Sequence, residues 1–257
     1  MSAGWLVALA ASFALAAGAM SGDSASAQEA GDRERAFLAG ETSDCSGCNL
    51  AGVNLKRRDL EGVNLSFANL EETSFHEANL RNANLTGVMA DYANFNLADL
   101  TGANFQDAEM TEAMFFAASA SGAIFSNAEL RYARMGEATL IRANFEGADL
   151  TGADLGGAIL TDGLLAGAVL SEADLRAVTL IRADLRGVVA ETAYFVDARM
   201  RGADLSGAVL RGSNFENADL GDADLSNADL TGAWLQATKL NGANLTGAVL
   251  PDSMAVQ

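Results

Sequence analysis

Two cysteines, one histidine and a surplus of carboxylates are the groups in this 257-residue chain with the means to do chemistry. Cys45 and Cys48 form a Cys-x-x-Cys within Asp44-Cys45-Ser46-Gly47-Cys48. Such a pair acts as a redox dithiol when one thiol is accessible and acidified, usually at a helix N-terminus. It also supplies half of a structural zinc site, which needs four ligands. His76 is the one other nitrogen or sulfur ligand of the usual type, and the repeat described below places it outward, so the zinc set stays incomplete. A single histidine also removes the commonest general base and most nucleophile pairings. The 26 glycines contain no Gly-x-x-x-x-Gly-Lys-Ser/Thr phosphate loop and no Gly-Gly-x-Gly-x-Asp calcium nonapeptide. The expectation is a chain with no catalytic residue, no cofactor and no metal.

The carboxylates belong to a larger order. From Leu50 to Leu250 a large apolar residue falls on every fifth position, and 38 of those 41 positions are Leu, Phe or Met. Ala90, Ala120 and Ala190 are the exceptions. Two residues before each centre stands a small residue, Ala in 30 of 41 cases. Extended chain points residues i and i−2 to one side, so both face inward and the residue between them, often Asn or Asp, faces out. The two residues after the centre are often Thr-Gly, Ser-Gly or Ser-Asn, which suits a type II turn with φ > 0 at its second central residue. Each five is a short extended face plus a corner. Four corners close a square coil of twenty residues, and about ten such coils stack into a rod roughly 48 Å long at the usual strand spacing.

The phenylalanines test the period of twenty. Phe75, Phe95, Phe115, Phe195 and Phe215 share one face; Phe105, Phe125 and Phe145 share the opposite one. Ala90, Ala120 and Ala190 each fall beside a Phe, so volume is traded within a coil as close packing requires. Arg58 at an inward small position, and Gly163 at another, predict local irregularity.

Segments such as Ala203-Asp204-Leu205-Ser206-Gly207 and Ala243-Asn244-Leu245-Thr246-Gly247 resemble the pentapeptide-repeat family, whose consensus is close to A(N/D)LXX. The resemblance covers about four-fifths of the chain. It implies an all-β fold, a right-handed quadrilateral β-helix; the spacing alone gives the square and not the hand. A Cys-x-Gly-Cys-Asn-Leu opening, here Cys45–Leu50, is also familiar in that family and reads as part of a cap.

Around the repeat the chain divides into residues 1–27, 28–44, 45–250 and 251–257. Trp5 to Ala19 is apolar, long enough for a signal-peptide core and too short for a membrane span. Ala25-Ser26-Ala27 fits a cleavage site, predicting a mature start at Gln28 and a periplasmic or secreted protein with no stable membrane anchor. Residues 28–44 are expected to cap the open first coil through a short helix over Glu29–Leu38, with Phe37 and Leu38 as its apolar face and Gly40 past its end. Cys45 and Cys48 both fall on inward positions: a structural disulfide if the chain is exported, two buried thiols if it is not. After Leu250 a tail remains in which Pro251 cannot donate to a further ladder and Met254 and Val256 could cover the last layer. Two rods could otherwise stack end to end as a homodimer.

Function should lie on the outward positions. Two sets break their polar pattern. Leu97, Met114, Phe116 and Ala117 cluster on one face, and Val169, Val189 and Val209 form a column on its neighbour. Exposed apolar patches mark contact surfaces, though such ladders also stabilise sheets. The expected function is an exported, non-catalytic structural or protein-interaction rod in the bacterial envelope, its protein partner unnamed by the sequence. The alternative is an acidic DNA mimic. The resemblance brings it in, because some pentapeptide-repeat proteins protect or inhibit DNA gyrase, and the net charge of −18 fits. Duplex DNA carries one charge per ~1.7 Å, denser than this rod, and an exported chain never meets gyrase. The arginines Arg176, Arg182, Arg186, Arg199, Arg201 and Arg211 are interleaved with Asp and Glu, a neutralised surface rather than a nucleic-acid site.

Overall fold

The structure is a computed structural model, and it describes residues 23–252. The core of the proposed leader, Trp5–Ala19, and the tail residues Met254 and Val256 lie outside the described residues. One helix, α1 (Asp23–Ala39), precedes the coil. It begins earlier than expected and runs through Ala25–Ala27, so a cut after Ala27 would shorten it to Gln28–Ala39.

From Asp44 onward the chain pairs with itself at a constant separation of twenty. Asp44 bridges Asn64, Asn49 bridges Asn69, Asn54 bridges Ser74 and Asp59 bridges Asn79, all in parallel, and the pattern continues to Asp229↔Val249. Four bridging residues per twenty make four walls, named here by one member each: the Asp204, Val189, Met114 and Thr179 walls. The hydrogen bonds of one step repeat along the rod. The Leu50 N–H donates to Asn69 O (2.8 Å), the Asn69 N–H to Cys48 O (2.8 Å) and the Gly52 N–H to Glu71 O (2.8 Å). Within the corner, the Val53 N–H closes a turn on Leu50 O (3.0 Å).

The corners are stricter than the glycine pattern suggests. Every second corner residue from Gly47 to Gly247 has φ between 52° and 78°, and 24 of them are not glycine. Phe67, Tyr92, Leu97 and Tyr132 are among these 24. An L-residue there costs on the order of 1 kcal/mol, which the ladder bonds around each corner must offset. Where Asn or Asp precedes a centre it helps: its side-chain oxygen accepts the N–H two residues on, as in Lys56 N–H to Asn54 Oδ1 (3.0 Å) and Ser226 N–H to Asp224 Oδ1 (2.8 Å). That local bond shapes the chain into the turn and satisfies a donor the ladder does not use.

The interior is one continuous core. Phe75, Phe95 and Phe115 stack at 4.9 Å between successive ring centroids, and Phe105, Phe125 and Phe145 stack at 5.0 and 4.7 Å. The two stacks come from opposite walls and meet edge to face, for example Phe95 against Phe105 at 5.5 Å and 86°. Ala90 and Ala120 make the room for that meeting, and both are fully buried.

Three expectations need correction. Leu38 is not on the buried face of α1; it is 37% exposed, whereas Phe37 is 2% exposed and enters the core alone. Arg58 does not disturb the coil. It lies in the first coil, where nothing stacks before it, and its guanidinium donates to Leu38 O (3.0 Å) at the C-terminus of α1. Gly163 leaves no gap, because Leu165 Cδ1 lies 3.5 Å from where its Cβ would stand and its ladder bonds are regular.

Candidate functional site

The Met114 wall lies between two edges. One edge carries Tyr92, Glu112 and Tyr132 at consecutive coils; the other carries Leu97, Phe116 and Ala117. The wall between them runs Asn94↔Met114↔Arg134. Leu97 and Phe116 are tied together, since the Leu97 N–H donates to Phe116 O (3.0 Å) and both side chains remain about half exposed, 49% and 47%. Asn96 Oδ1 accepts the Phe116 N–H (2.8 Å) and fixes the ring's backbone. The ring rests against Gly136, whose added Cβ would lie 3.6 Å from Phe116 Cδ2. Met114 is half-buried between the two edges. The structure therefore brings Leu97, Met114 and Phe116 into one surface.

The Val189 wall is different. Val169, Val189 and Val209 bridge one another directly, between Asp149 at one end and Asp229 at the other. Each is only half-exposed because its neighbours cover its flanks. This is a cross-strand ladder of β-branched side chains that supports pairing, with little free area compared with the Met114 wall.

Cys45 and Cys48 are paired, with sulfurs 2.06 Å apart, and both side chains are buried at 0% and 2% exposure. They sit under α1 rather than at a helix N-terminus. Arg33 donates to Ser46 O (2.9 Å), and Glu34 Oε1 accepts the Asn49 N–H (2.6 Å), a donor that in later coils meets the coil before. His76 is outward, its Nε2 3.0 Å from Glu77 Oε1. Among the described residues no group of three or more His, Cys, Asp or Glu side chains is arranged to hold a metal ion.

The sequence profile of pentapeptide repeats matches this chain in 8 copies spanning residues 48–189 and 193–254. The chain belongs to the pentapeptide-repeat family. Among solved structures it is similar to HetL, a pentapeptide-repeat protein involved in heterocyst differentiation regulation from the cyanobacterium Nostoc sp. strain PCC 7120. The two are 33% identical over 86% of this chain and 97% of HetL, with a TM-score of 0.62. Rfr23 from the cyanobacterium Cyanothece 51142 is 33% identical over 44% of this chain and 63% of its own, with a TM-score of 0.29. A trypsin-treated form of QnrB1, a plasmid-mediated fluoroquinolone resistance protein, is 22% identical over 75% of this chain and 88% of its own, with a TM-score of 0.41. No curated protein matches the sequence.

Much of the charge on this pentapeptide-repeat rod is internally matched. Arg182 grips Asp162 through two bonds of 2.8 Å one coil away, Arg186 Nε binds Asp184 (2.8 Å), and Arg211 binds Asp229 (2.7 Å). Arg57 pairs with Glu77 in the same way. Their guanidinium hydrogen bonds hold Asp162, Asp184 and Glu77 below the usual carboxylate range. Asp229 is pulled down to about 2, first by the hydroxyl and N–H of Thr231 and then by Arg211. Arg176, Arg182, Arg186, Arg201 and Arg211 thus spend donors on neighbouring carboxylates, whereas Arg199 makes no ion pair among the described residues.

Sequence reasoning missed the rest of the aromatic surface. Tyr92, Tyr132, Tyr194 and Trp234 are 46%, 53%, 50% and 59% exposed, and all lie on the Met114 wall or its edge. The signal was present: sorting outward residues by position within the period of twenty, as was done for the inward phenylalanines, gathers them.

Proposed function

We propose that this pentapeptide-repeat protein is an exported, non-catalytic rod that acts by protein contact in the bacterial envelope. The observation that carries the reading is the cluster of Leu97, Met114 and Phe116, partly exposed and held by backbone bonds, whereas Phe67, Ile124 and Ile159 are exposed on other walls and corners. Isolated exposed apolar residues need no explanation, but a fixed cluster on a flat wall is what a partner covers. The Val169, Val189 and Val209 column is a second, weaker contact candidate. The rod is taken as a right-handed quadrilateral coil of about ten turns. Its leader ends at Ala27, so the mature chain starts at Gln28 in the periplasm or outside the cell. The paired Cys45 and Cys48 suit an oxidising compartment. HetL, involved in heterocyst differentiation regulation, is a precedent for a rod of this family with a regulatory part to play. End-to-end stacking through the C-terminal coil would give a homodimer.

The N-terminal sequence and compartment of the mature protein in its native cell test this reading. A start at Gln28 in an extracytoplasmic fraction is expected. An uncleaved cytoplasmic chain overturns export and turns attention to the acidic DNA-mimic alternative, for which a gyrase supercoiling assay is the direct test.

A further inference from the structure

Six aromatic side chains are exposed among the described residues: Phe67, Tyr92, Phe116, Tyr132, Tyr194 and Trp234. Five of the six fall on the Met114 wall and its edges. Three of them sit within three consecutive coils beside Leu97 and Met114, a patch about 14 Å tall at the usual strand spacing. The rings lie along the rod instead of standing off it. Tyr132 occupies the space above Gly152, where an added Cβ would come within 2.5 Å of its Cε1, and Phe116 rests on Gly136. Tyr92 reaches the next coil, its hydroxyl 3.4 Å from Glu112 Oε1. The apolar surface is therefore preformed. Tyr92, Leu97 and Tyr132 hold it from left-handed corners, where glycine would relieve the backbone.

A second observation comes from charge. Glu71, Glu72, Asp91 and Glu112 line the Tyr92 edge, and Glu109 stands on the neighbouring wall. None of these five makes an ion pair, while along the C-terminal half Arg176, Arg182, Arg186 and Arg211 each hold a carboxylate. At its Tyr92 end the patch is rimmed by carboxylates that make no ion pair among the described residues; its own cations, Arg134 beside Met114 and Arg131 next to Tyr132, stand at the opposite end. Tyr92 registers that rim: Glu112 first, then burial, with Asp91 and Glu71 adding, pushes its phenol above the ordinary value.

We propose that the wall formed by Tyr92, Leu97, Met114, Phe116 and Tyr132 docks a cationic amphipathic segment of a partner protein, its apolar side chains on the rings and its Lys or Arg side chains on the Glu71–Glu112 rim. Rings beside carboxylates suit such a segment twice over. Their faces attract guanidinium and ammonium groups, and the rim steers the approach and fixes the register. This deepens the contact reading above and rests on it.

The test uses the full chain and a defined probe, a fluorescein-labelled amphipathic helical peptide of about five turns with leucines on one face and lysines flanking them. Anisotropy titration at physiological salt is expected to show saturable binding. Leu97→Ser with Phe116→Ser, and separately Asp91→Asn with Glu112→Gln, should each weaken it roughly tenfold or more. Asp204→Asn with Asp224→Asn removes the same charge from the far wall and should change it by less than about twofold, the asymmetry that distinguishes a site from bulk charge. A peptide with Glu for Lys should not bind. A photo-crosslinker in the peptide should label residues 92–132. Equal weakening by the far-wall pair, or no effect of the apolar pair, overturns the proposal. So does binding of an N-acetylglucosamine hexasaccharide that Phe116→Ser abolishes while peptide binding persists, because the wall would then be a glycan platform. Crosslinks confined to another wall remove this surface but leave the interaction role standing, and that role fails on its own terms only if the compartment and contact experiments fail.

Discussion

The two ends of the rod solve the same problem differently. A solenoid must stop twice, and each stop exposes core and unpaired backbone. At the N-terminal end the stop is built from many parts. Phe37 plugs the core, Arg58 holds the last turn of α1, and Glu34 accepts a ladder N–H. Gly40 ends the helix in a Schellman motif, with the Glu41 N–H on Ala36 O (2.8 Å) and the Gly40 N–H on Phe37 O (2.9 Å). The disulfide pins the first corner beneath it. At the other end the last centres, Leu235, Leu240, Leu245 and Leu250, are only partly buried although their equivalents inside the rod are fully covered. A cavity of about 700 Å³ opens there between Trp234, Leu235, Leu250 and Pro251. Identical repeats do not make identical coils: what a repeat contributes depends on having a neighbour on both sides.

That contrast can be broken or sharpened by measurement. Phe37→Ala should have the largest effect, on the order of 3–5 kcal/mol in urea unfolding, as for other large-to-small core changes. A loss below about 1 kcal/mol would mean the helix is not a structural cap. Leu150→Ala in the middle should cost about 2–5 kcal/mol, and Leu240→Ala clearly less, because Leu240 is already half uncovered. Equal costs would show that the C-terminal end is sealed as well as the first. Cys45→Ala with Cys48→Ala should lower stability by about 2 kcal/mol, since the bridge closes a short loop. If a reductant leaves the melting temperature of the native chain unchanged, the bridge is absent in solution.

Lowered carboxyls lie at both ends, Asp44 in the first coil among them, so it is the thinner cover of the C-terminal centres that should let acid act there first. Asp224 and Asp229 in the last coils have lowered pKa values, through bonds from Ser226 for the first and from Thr231 and then Arg211 for the second. Folded values below the ordinary 3.8 mean that their stabilisation is complete above that pH and is lost as pH falls toward about 2. Amide exchange should therefore show a flat profile from pH 7 down to pH ~4 and then opening of the C-terminal coils before the N-terminal ones. Uniform opening would deny the difference between the ends. The smallest effect belongs to Ala117→Gly, which relieves a φ of 52° and should stabilise by about 0.5–1 kcal/mol, shown as a shift of the urea midpoint.

The interior was legible because a period of five with an inward i and i−2 leaves one way to bury Leu and Ala together. The phenylalanine faces followed from the same count, and the stacks at 4.7–5.0 Å are its direct expression. The cap was legible as a need but not in detail. Which of Phe37 and Leu38 enters the core depends on how α1 approaches, and that is set by Arg58 and Glu34 across the gap. Arg58 looked like an error in the repeat because the pattern describes coils with two neighbours, and Arg58 has one. The left-handed corners at Phe67, Tyr92 and Leu97 were hidden for a related reason. Glycine signals the conformation at the second corner position, not at Gly136, Gly156 or Gly221, and the ladder enforces it where glycine is absent. The Met114 wall was half-read: Leu97, Met114 and Phe116 meet within one period of twenty, whereas Tyr132, Tyr194 and Trp234 join them only when further coils are laid over one another.

The constant separation of twenty between bridged residues has a consequence for how such a chain can change. A duplication of one five-residue unit, say after Gly147, adds a quarter-turn. Every core position downstream still finds an inward place, so the fold tolerates it. The outside does not stay the same: Tyr194 and Trp234 move to the next wall and leave Tyr92, Phe116 and Tyr132 behind. A duplication of four units restores the alignment and only lengthens the rod. Surface patterns on this scaffold can thus be rotated against each other in quarter-turn clicks, like the rings of a combination lock, without asking the interior to find a new solution.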